Sequence, residues 1–442
     1  MPHPKARESK THLRISRCLG YSLLVFGLQI TLSCISTAAQ PSDPNHWVGT
    51  WAAAPYGQAN TKAAFAEDTT IREIVHVSVG GPAVRVVLTN EFGTSDLKIS
   101  GLSVAIPLRT PATSVPANET NPSKAVVQPS SAIRPDSAVP VRFGGNPDVT
   151  IAPGAIAISD PVSLQLNPLS DLAVTIFIPG QKIDTITYHA FAGQTNFEAK
   201  GNQLNVSELE SPRSTWSWRF LKAIDVSGSA EGAIVCFGDS ITDGVLSRAN
   251  ANHRYPDILA VRLQANPATS NLGVLNEGIG GNSVLHEVTF TGPSALARFD
   301  RDVIAQAGVR YVILLEGIND IGRVPAPKQP SDVISGDDLI HAYQQMIVRA
   351  HLHGIKVIGA TLTPYQGAHT DSETGQAIRD KLNDFIRNSG MFDGVVDFAK
   401  VTADPANPKH YSTLADGGDH LHPSDGGYKP MGESIDLNLF TR

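Results

Sequence analysis

At 442 residues the chain exceeds one ordinary hydrophobic core, and its 41% hydrophobic and 17% charged residues predict a soluble protein of two domains. A formal charge of −7 excludes the globally basic character that binding to nucleic acid or an anionic lipid surface would favour.

Residues 1–39 read as an export signal: Lys5, Arg7, Lys10, Arg14 and Arg17 precede an apolar stretch from Leu19 to Ile35, and Thr37-Ala38-Ala39 offers small residues for cleavage. Ser22, Gly27, Gln29 and Thr31 interrupt that stretch and argue against a permanent membrane anchor, so the expected location is secreted or periplasmic, with no stable membrane insertion after cleavage. Cys34 raises a lipoprotein as the alternative, although Thr31 stands where a leucine is usually wanted. Cleavage would remove Cys18 and Cys34, leaving Cys236 as the one thiol and no internal disulfide. Its place in an apolar run predicts a small buried residue rather than a reactive one.

From about Trp47 to Phe220 the pattern has a period of two and is rich in Val, Ile and Thr, which predicts strands over a domain spanning 45–225. Val75, Val77 and Val79 alternate with His76 and Ser78, and Val84, Val86 and Leu88 with Arg85; Val162, Leu164 and Leu166, then Leu172, Val174 and Ile176, repeat the pattern. Short strands with turns between them predict a β-sandwich of jelly-roll-like type. Pro111 to Pro140, broken by Pro116, Pro122, Pro129 and Pro135, reads as a long surface loop.

Beyond about residue 230 short apolar runs alternate with helical patterns, predicting an α/β domain over 230–442. Ala233 to Phe237, Val274 to Leu275, Tyr311 to Leu315, Val357 to Leu362 and Val395 to Phe398 are the expected parallel strands. Tyr255, Leu259 and Leu263 mark one helical face; Leu339, Tyr343, Met346, Ile347 and Ala350 a second; Ile378, Leu382, Phe385 and Ile386 a third. The result is a doubly wound parallel sheet, in which ligands bind beyond the carboxyl ends of the strands.

Three motifs fall at such strand ends and a fourth lies near the end of the chain: Gly238-Asp239-Ser240, Asn276-x-Gly278-x-x-Gly281, Gly317-x-Asn319-Asp320 and Asp419-x-x-His422-Pro423. Together they hold the parts for acyl transfer. Ser240 is the expected nucleophile, His422 the general base, and Asp419 the carboxylate that holds one ring nitrogen while the other faces Ser240. Attack on an ester builds charge on the carbonyl oxygen, and the backbone N–H groups of Ser240 and Gly281 with the side-chain amide of Asn319 can form the oxyanion hole. Asp239, Asp243 and Asp320 read as loop braces, and the surroundings of Ser240 are not the Gly-x-Ser-x-Gly nucleophile elbow. Taken singly, each motif has a bland alternative: a capping serine, turn glycines, a loop histidine.

The four blocks resemble those of the SGNH hydrolase superfamily, the GDSL family of esterases and lipases, whose four named residues fall on Ser240, Gly281, Asn319 and His422, with its aspartate on Asp419. The resemblance covers roughly 230–442 and implies a three-layer, flavodoxin-like α/β/α fold with no metal and no organic cofactor. One departure is the run Gly278-Ile279-Gly280-Gly281, where Gly280 could compete for the donor role. The first half, with Trp47-Val48-Gly49-Thr50-Trp51 and the segment from Val84 to Gly93, is similar to the β-domain of a secreted bacterial subgroup resembling xylan-cluster acetylesterases or arylesterases. The resemblance implies an acylated carbohydrate or small ester as substrate. The leading expectation is therefore a secreted serine esterase that removes short acyl groups, with acetyl foremost, from polysaccharide. The alternatives are an aryl esterase or lipase acting on lipid-like esters, and an inactive carbohydrate-binding protein. Trp47, Trp51, Trp216 and Trp218 read as core or seam residues rather than a sugar platform, and His351 and His353 as helix-end residues rather than metal ligands.

Overall fold

The computed structural model describes residues 46–108, 129–287 and 290–441. The expected export signal and residues 111–128 of the expected surface loop lie outside these ranges.

β-branched residues at alternate positions build the first half from antiparallel strands, chief among them β1 (Trp47–Ala52), β2 (Thr69–Val77), β3 (Gly81–Thr89), β4 (Gly101–Ala105), β5 (Val162–Leu166), β6 (Ser170–Ile178), β7 (Thr185–His189), β8 (Asn196–Lys200) and β9 (Leu221–Ser227). One sheet runs β1-β9-β3-β5 and a second β8-β2-β6-β4, while β7 lies between the short strands Tyr56–Ala59 and Trp218–Arg219. In the second sheet Leu172 pairs with Val75, Val174 with Glu73 and Ile176 with Ile71. The period-two reading holds there only on one face. β6 is central and buried on both sides: Leu172, Val174 and Ile176 join the main core, and Ala173 joins Ile74, Phe197 and Leu209 in a smaller one. The described end of the expected loop is partly ordered, with Ile133 bridged to Pro107 and Val139–Pro140 paired to β4.

The second half holds β10 (Gly232–Gly238), β11 (Leu272–Gly278), β12 (Val309–Leu315), β13 (Lys356–Ala360) and β14 (Gly394–Val396), all parallel, in the order β11-β10-β12-β13-β14. This is the doubly wound 2-1-3-4-5 order. A short helix α1 (Ser240–Asp243) follows β10, and the longer helices are α2 (Tyr255–Gln264), α3 (Gly336–Leu352), α4 (Glu373–Asn388) and α5 (Asp425–Ser434). α2 packs on α5 and α3 on α4, so the sheet lies between two helical layers. The apolar stripes point inward: Leu259, Leu263, Leu339, Tyr343, Met346, Ile347, Leu382 and Ile386 are all buried. β13 and β14 are shorter than the apolar runs predict. Leu362 lies past β13 with its backbone held at both ends by the Asn383 side chain, and Phe398 opens a helical turn.

The two halves share one apolar core. β1 lies against β11, with Gly49 N–H donating to Ala307 O at 2.9 Å and Ser78 Oγ bridging the N–H and C=O of Val274 at 2.8 and 3.1 Å. Trp51 and Trp218 pack edge to face at 4.9 Å within this core, the Arg85 guanidinium covers Trp47, and only Trp216 is exposed among the four. No helix among the described residues is long and apolar enough to cross a membrane.

Candidate active site

Ser240 is the first residue of α1, immediately past the carboxyl end of β10. The turn that puts it there requires a glycine before it: a Cβ on Gly238 would sit 2.1 Å from Thr242 Oγ1 and 2.4 Å from Leu315 O. Asp239 caps the helix, its Oδ1 accepting from Ile241 N–H at 2.9 Å, and the Ser240 N–H, at the first helical position, has no carbonyl four residues back to serve it.

Asp419 and His422 arrive on one loop just before α5. His422 Nε2 lies 2.8 Å from Ser240 Oγ, and His422 Nδ1 lies 2.7 Å from Asp419 Oδ2. Asp419 Oδ1 accepts from the N–H groups of Leu421 and His422 at 3.0 and 2.8 Å, so this carboxylate orients the ring and folds its own loop. Burial opposes its charge. The hydrogen bonds from the His422 ring and the two backbone N–H groups outweigh that burial and hold the carboxyl below its ordinary pKa. His420 turns to Asp416 instead, at 2.5 Å.

The loop after β11 carries Gly280 and Gly281. Gly280 N–H donates to Asp243 Oδ2 at 3.0 Å, which removes it from the competition left open by the sequence. Gly281 has φ +75°, a conformation that favours glycine, and a Cβ there would lie 2.8 Å from Thr291 Cγ2. Asn319 stands on the short helix after β12 and donates one amide hydrogen to Asn282 O at 2.8 Å, tying the third block to the second. Its second amide hydrogen stays available. Asp320 accepts from Val284 and Leu285 N–H at 2.8 and 3.1 Å, so all three aspartates read as braces do receive backbone donors.

Sequence reasoning missed Arg298. Its guanidinium is fully buried over the Phe237 ring and donates to Gly238 O and Glu277 O, each at 2.8 Å, to Asn282 Oδ1 at 2.9 Å and to Asp302 Oδ2 at 3.1 Å. One side chain thus binds the strand end before Ser240 to both ends of the glycine loop. Its only sequence trace is a lone arginine between Ala297 and Phe299, which does not distinguish it from a surface residue. His189, the last residue of β7, was missed for the same reason. Cys236 is buried, and burial pushes its thiol pKa up. His351 meets Asp393 at 2.8 Å at the end of α3, and no group of three His, Cys, Asp or Glu among the described residues could hold a metal.

A seryl hydroxyl, an imidazole and a carboxylate in series at the carboxyl edge of a 2-1-3-4-5 parallel sheet have the make-up of a serine-type ester hydrolase. Residues 236–429 match the GDSL-like Lipase/Acylhydrolase family; the chain carries that domain and is an ester hydrolase of the GDSL, or SGNH, type. Similar solved structures include a GDSL-like lipase from Bacteroides thetaiotaomicron (19% identity, 48% of this chain and 88% of that one, TM-score 0.35). The aryl esterase of M. smegmatis is 16% identical over 48% of this chain and 99% of its own, with TM-score 0.38. A catalytic mutant of an acetylxylan esterase from Geobacillus stearothermophilus is 23% identical over 48% and 94%, with TM-score 0.36. No curated protein matches the chain by sequence.

Proposed function

We propose that this protein is an exported serine esterase that removes short acyl groups, acetyl foremost, from polysaccharide. The observation that carries the catalytic part is the unbroken run Ser240 Oγ, His422 Nε2, His422 Nδ1, Asp419 Oδ2, with contacts of 2.8 and 2.7 Å. Ser240 Oγ attacks the ester carbonyl while its proton passes to His422 Nε2, and Asp419 stabilises the resulting imidazolium. The carbonyl oxygen becomes an oxyanion among the N–H groups of Ser240 and Gly281 and the free amide hydrogen of Asn319. His422 then gives its proton to the leaving alcohol oxygen, which leaves acyl-Ser240. Water repeats the sequence and releases the acid.

Export rests on the basic, apolar and small-residue order of residues 1–39. The carbohydrate reading rests on the resemblance of the first half, which we take as a jelly-roll-like domain over 45–225 preceding the catalytic domain at 230–442. The second reading, lipid-like or aryl esters, is favoured by Leu246, close after the nucleophile turn, and by Phe290, nine residues beyond Gly281, which are 47% and 73% exposed. The deciding experiment measures acetate release from acetylated xylan against hydrolysis of aryl esters of increasing acyl length. Acetate release with steep loss at longer chains supports the first reading, and preference for long chains replaces it with the second. Unchanged hydrolysis by Ser240→Ala would overturn the nucleophile.

A further inference from the structure

His189, the last residue of β7, comes from the strand-rich half and is 3% exposed. Its Nδ1 lies 2.9 Å from Ala54 O, and its Nε2 lies 3.1 Å from Phe191 O and 3.1 Å from Asp243 Oδ1. Two of these neighbours are carbonyl oxygens with no hydrogen to offer, one against each ring nitrogen. A neutral imidazole must leave one nitrogen lone pair facing a carbonyl oxygen, even if Asp243 carried the proton instead. Only the doubly protonated ring satisfies both sides.

The same Asp243 carboxylate holds the loop that forms the hole: its Oδ2 accepts from Gly280 N–H at 3.0 Å, one residue before Gly281. Asp243 also closes α1, three residues after Ser240, and a Cβ on Gly278 would lie 2.2 Å from its backbone N, so nucleophile turn and glycine loop meet there. We propose that His189 is a permanent buried imidazolium and a positioning residue: it fixes Asp243, which in turn fixes the Gly280–Gly281 segment, so that the strand-rich half sets the geometry of the oxyanion hole. This rests on the reading of Ser240, Gly281 and Asn319 given above.

The surroundings agree. The Tyr56 and Trp218 rings lie 6.4 and 5.6 Å from the imidazole. The adjoining cavity of about 30 Å³ between the halves also exposes His76, Arg254 and Asp257. His76 is engaged by Asp171 at 2.7 Å and Arg254 by Asp257 at 2.8 Å, which leaves Asp243 as the carboxylate in contact with His189. Burial works against the ring's charge, but Asp243 and the two carbonyls outweigh it and raise the pKa above the ordinary histidine value.

The first test is nitrogen NMR of the imidazoles in the parent protein from about pH 5 to pH 9, with His189 assigned by its loss in His189→Gln. Both His189 nitrogens protonated across the range is the expected result, and an unprotonated nitrogen near neutral pH overturns the proposal without requiring any variant to be active. The second test is kinetic. His189→Gln and Asp243→Asn should each lower kcat on the order of 10²-fold, as a small misplacement of catalytic groups does, with KM nearly unchanged. The double variant should be no worse than the poorer single one, because the two act in series. Independent, multiplying losses or a change confined to KM would overturn the link. Activity retained by Ser240→Ala and Asn319→Ala would instead show that the reading of the site itself had failed.

Discussion

Replacing Asn319 by alanine tests the oxyanion hole at the point where the structure makes the sharpest statement. The amide spends one hydrogen on Asn282 O at 2.8 Å and has one left for the substrate oxygen. Losing a donor that acts on the developing oxyanion costs about 3–4 kcal/mol, which is a loss of about 10²–10³-fold in kcat. Asn282 follows Gly281 directly, so cutting the tie also loosens the second donor, and the upper end of that range is expected. The part-buried Asn282 carbonyl loses its partner, which should cost about 1 kcal/mol of stability and lower Tm by about 2–4 °C for a domain of this size. The assay is kcat and KM on an aryl acetate, with thermal unfolding of the same samples. Asn319→Asp keeps the shape but offers acceptors in place of donors, so it should be at least as impaired as the alanine variant. An Asn319→Ala enzyme with unchanged kcat and raised KM, or an Asn319→Asp enzyme as active as the parent, would refute the assignment.

Asp419→Asn should lower kcat by as much as about 10⁴ while the protein stays folded, since the amide can still cap the loop but favours the wrong ring tautomer; steady-state kinetics with a circular dichroism spectrum checks it. Gly280→Ala should be nearly silent, because its Cβ would meet only Asp243 Oδ2 at 3.7 Å, whereas Gly281→Ala must hold φ +75° against Thr291 and should lose about 1–2 kcal/mol of stability together with most of its activity. Equal behaviour of the two variants would contradict the choice of Gly281 as donor. Burial pushes the Glu73 carboxyl up from 4.5 to about 8 despite the Arg219 backbone N–H and guanidinium beside it. The folded state therefore keeps a proton that the unfolded chain gives up, and stability should fall as pH rises from about 4.5 to about 8, then level off. Glu73→Gln should flatten that fall, read as denaturant midpoints at several pH values; a steeper fall in the variant would refute it.

The parallel sheet was legible because each of its strands is an apolar run closed by a motif or a helix with clear spacing, as at Phe237, Leu275 and Leu315. Ser240, Gly281, Asn319, Asp419 and His422 could be picked out together because chemistry of known requirements needs those residue types, and the sheet brings its strand ends to one edge. Boundaries were less legible. Leu362 and Phe398 continue apolar runs, but the strands before them end sooner, where an Asn383 side chain replaces a neighbouring strand in one case and a helical turn begins in the other. Contacts between distant segments were illegible. Arg298 reaches Gly238 across 60 positions and His189 reaches Asp243 across 54, and neither lies in a local pattern that distinguishes a buried cation from a solvated one. The burial of β6 on both faces was hidden likewise, because Ala173 and Thr175 fit either a covered or an open face.

Asp419 and His422 are three residues apart on a single loop, joined through the ring and through the backbone. Base and orienting acid therefore travel as one cartridge, and the remainder of the molecule has a single distance to tune, that from the imidazole to the hydroxyl. Drift of α5 would lengthen that one distance while leaving the base joined to its carboxylate, so partial loosening of this enzyme should appear as slower acylation.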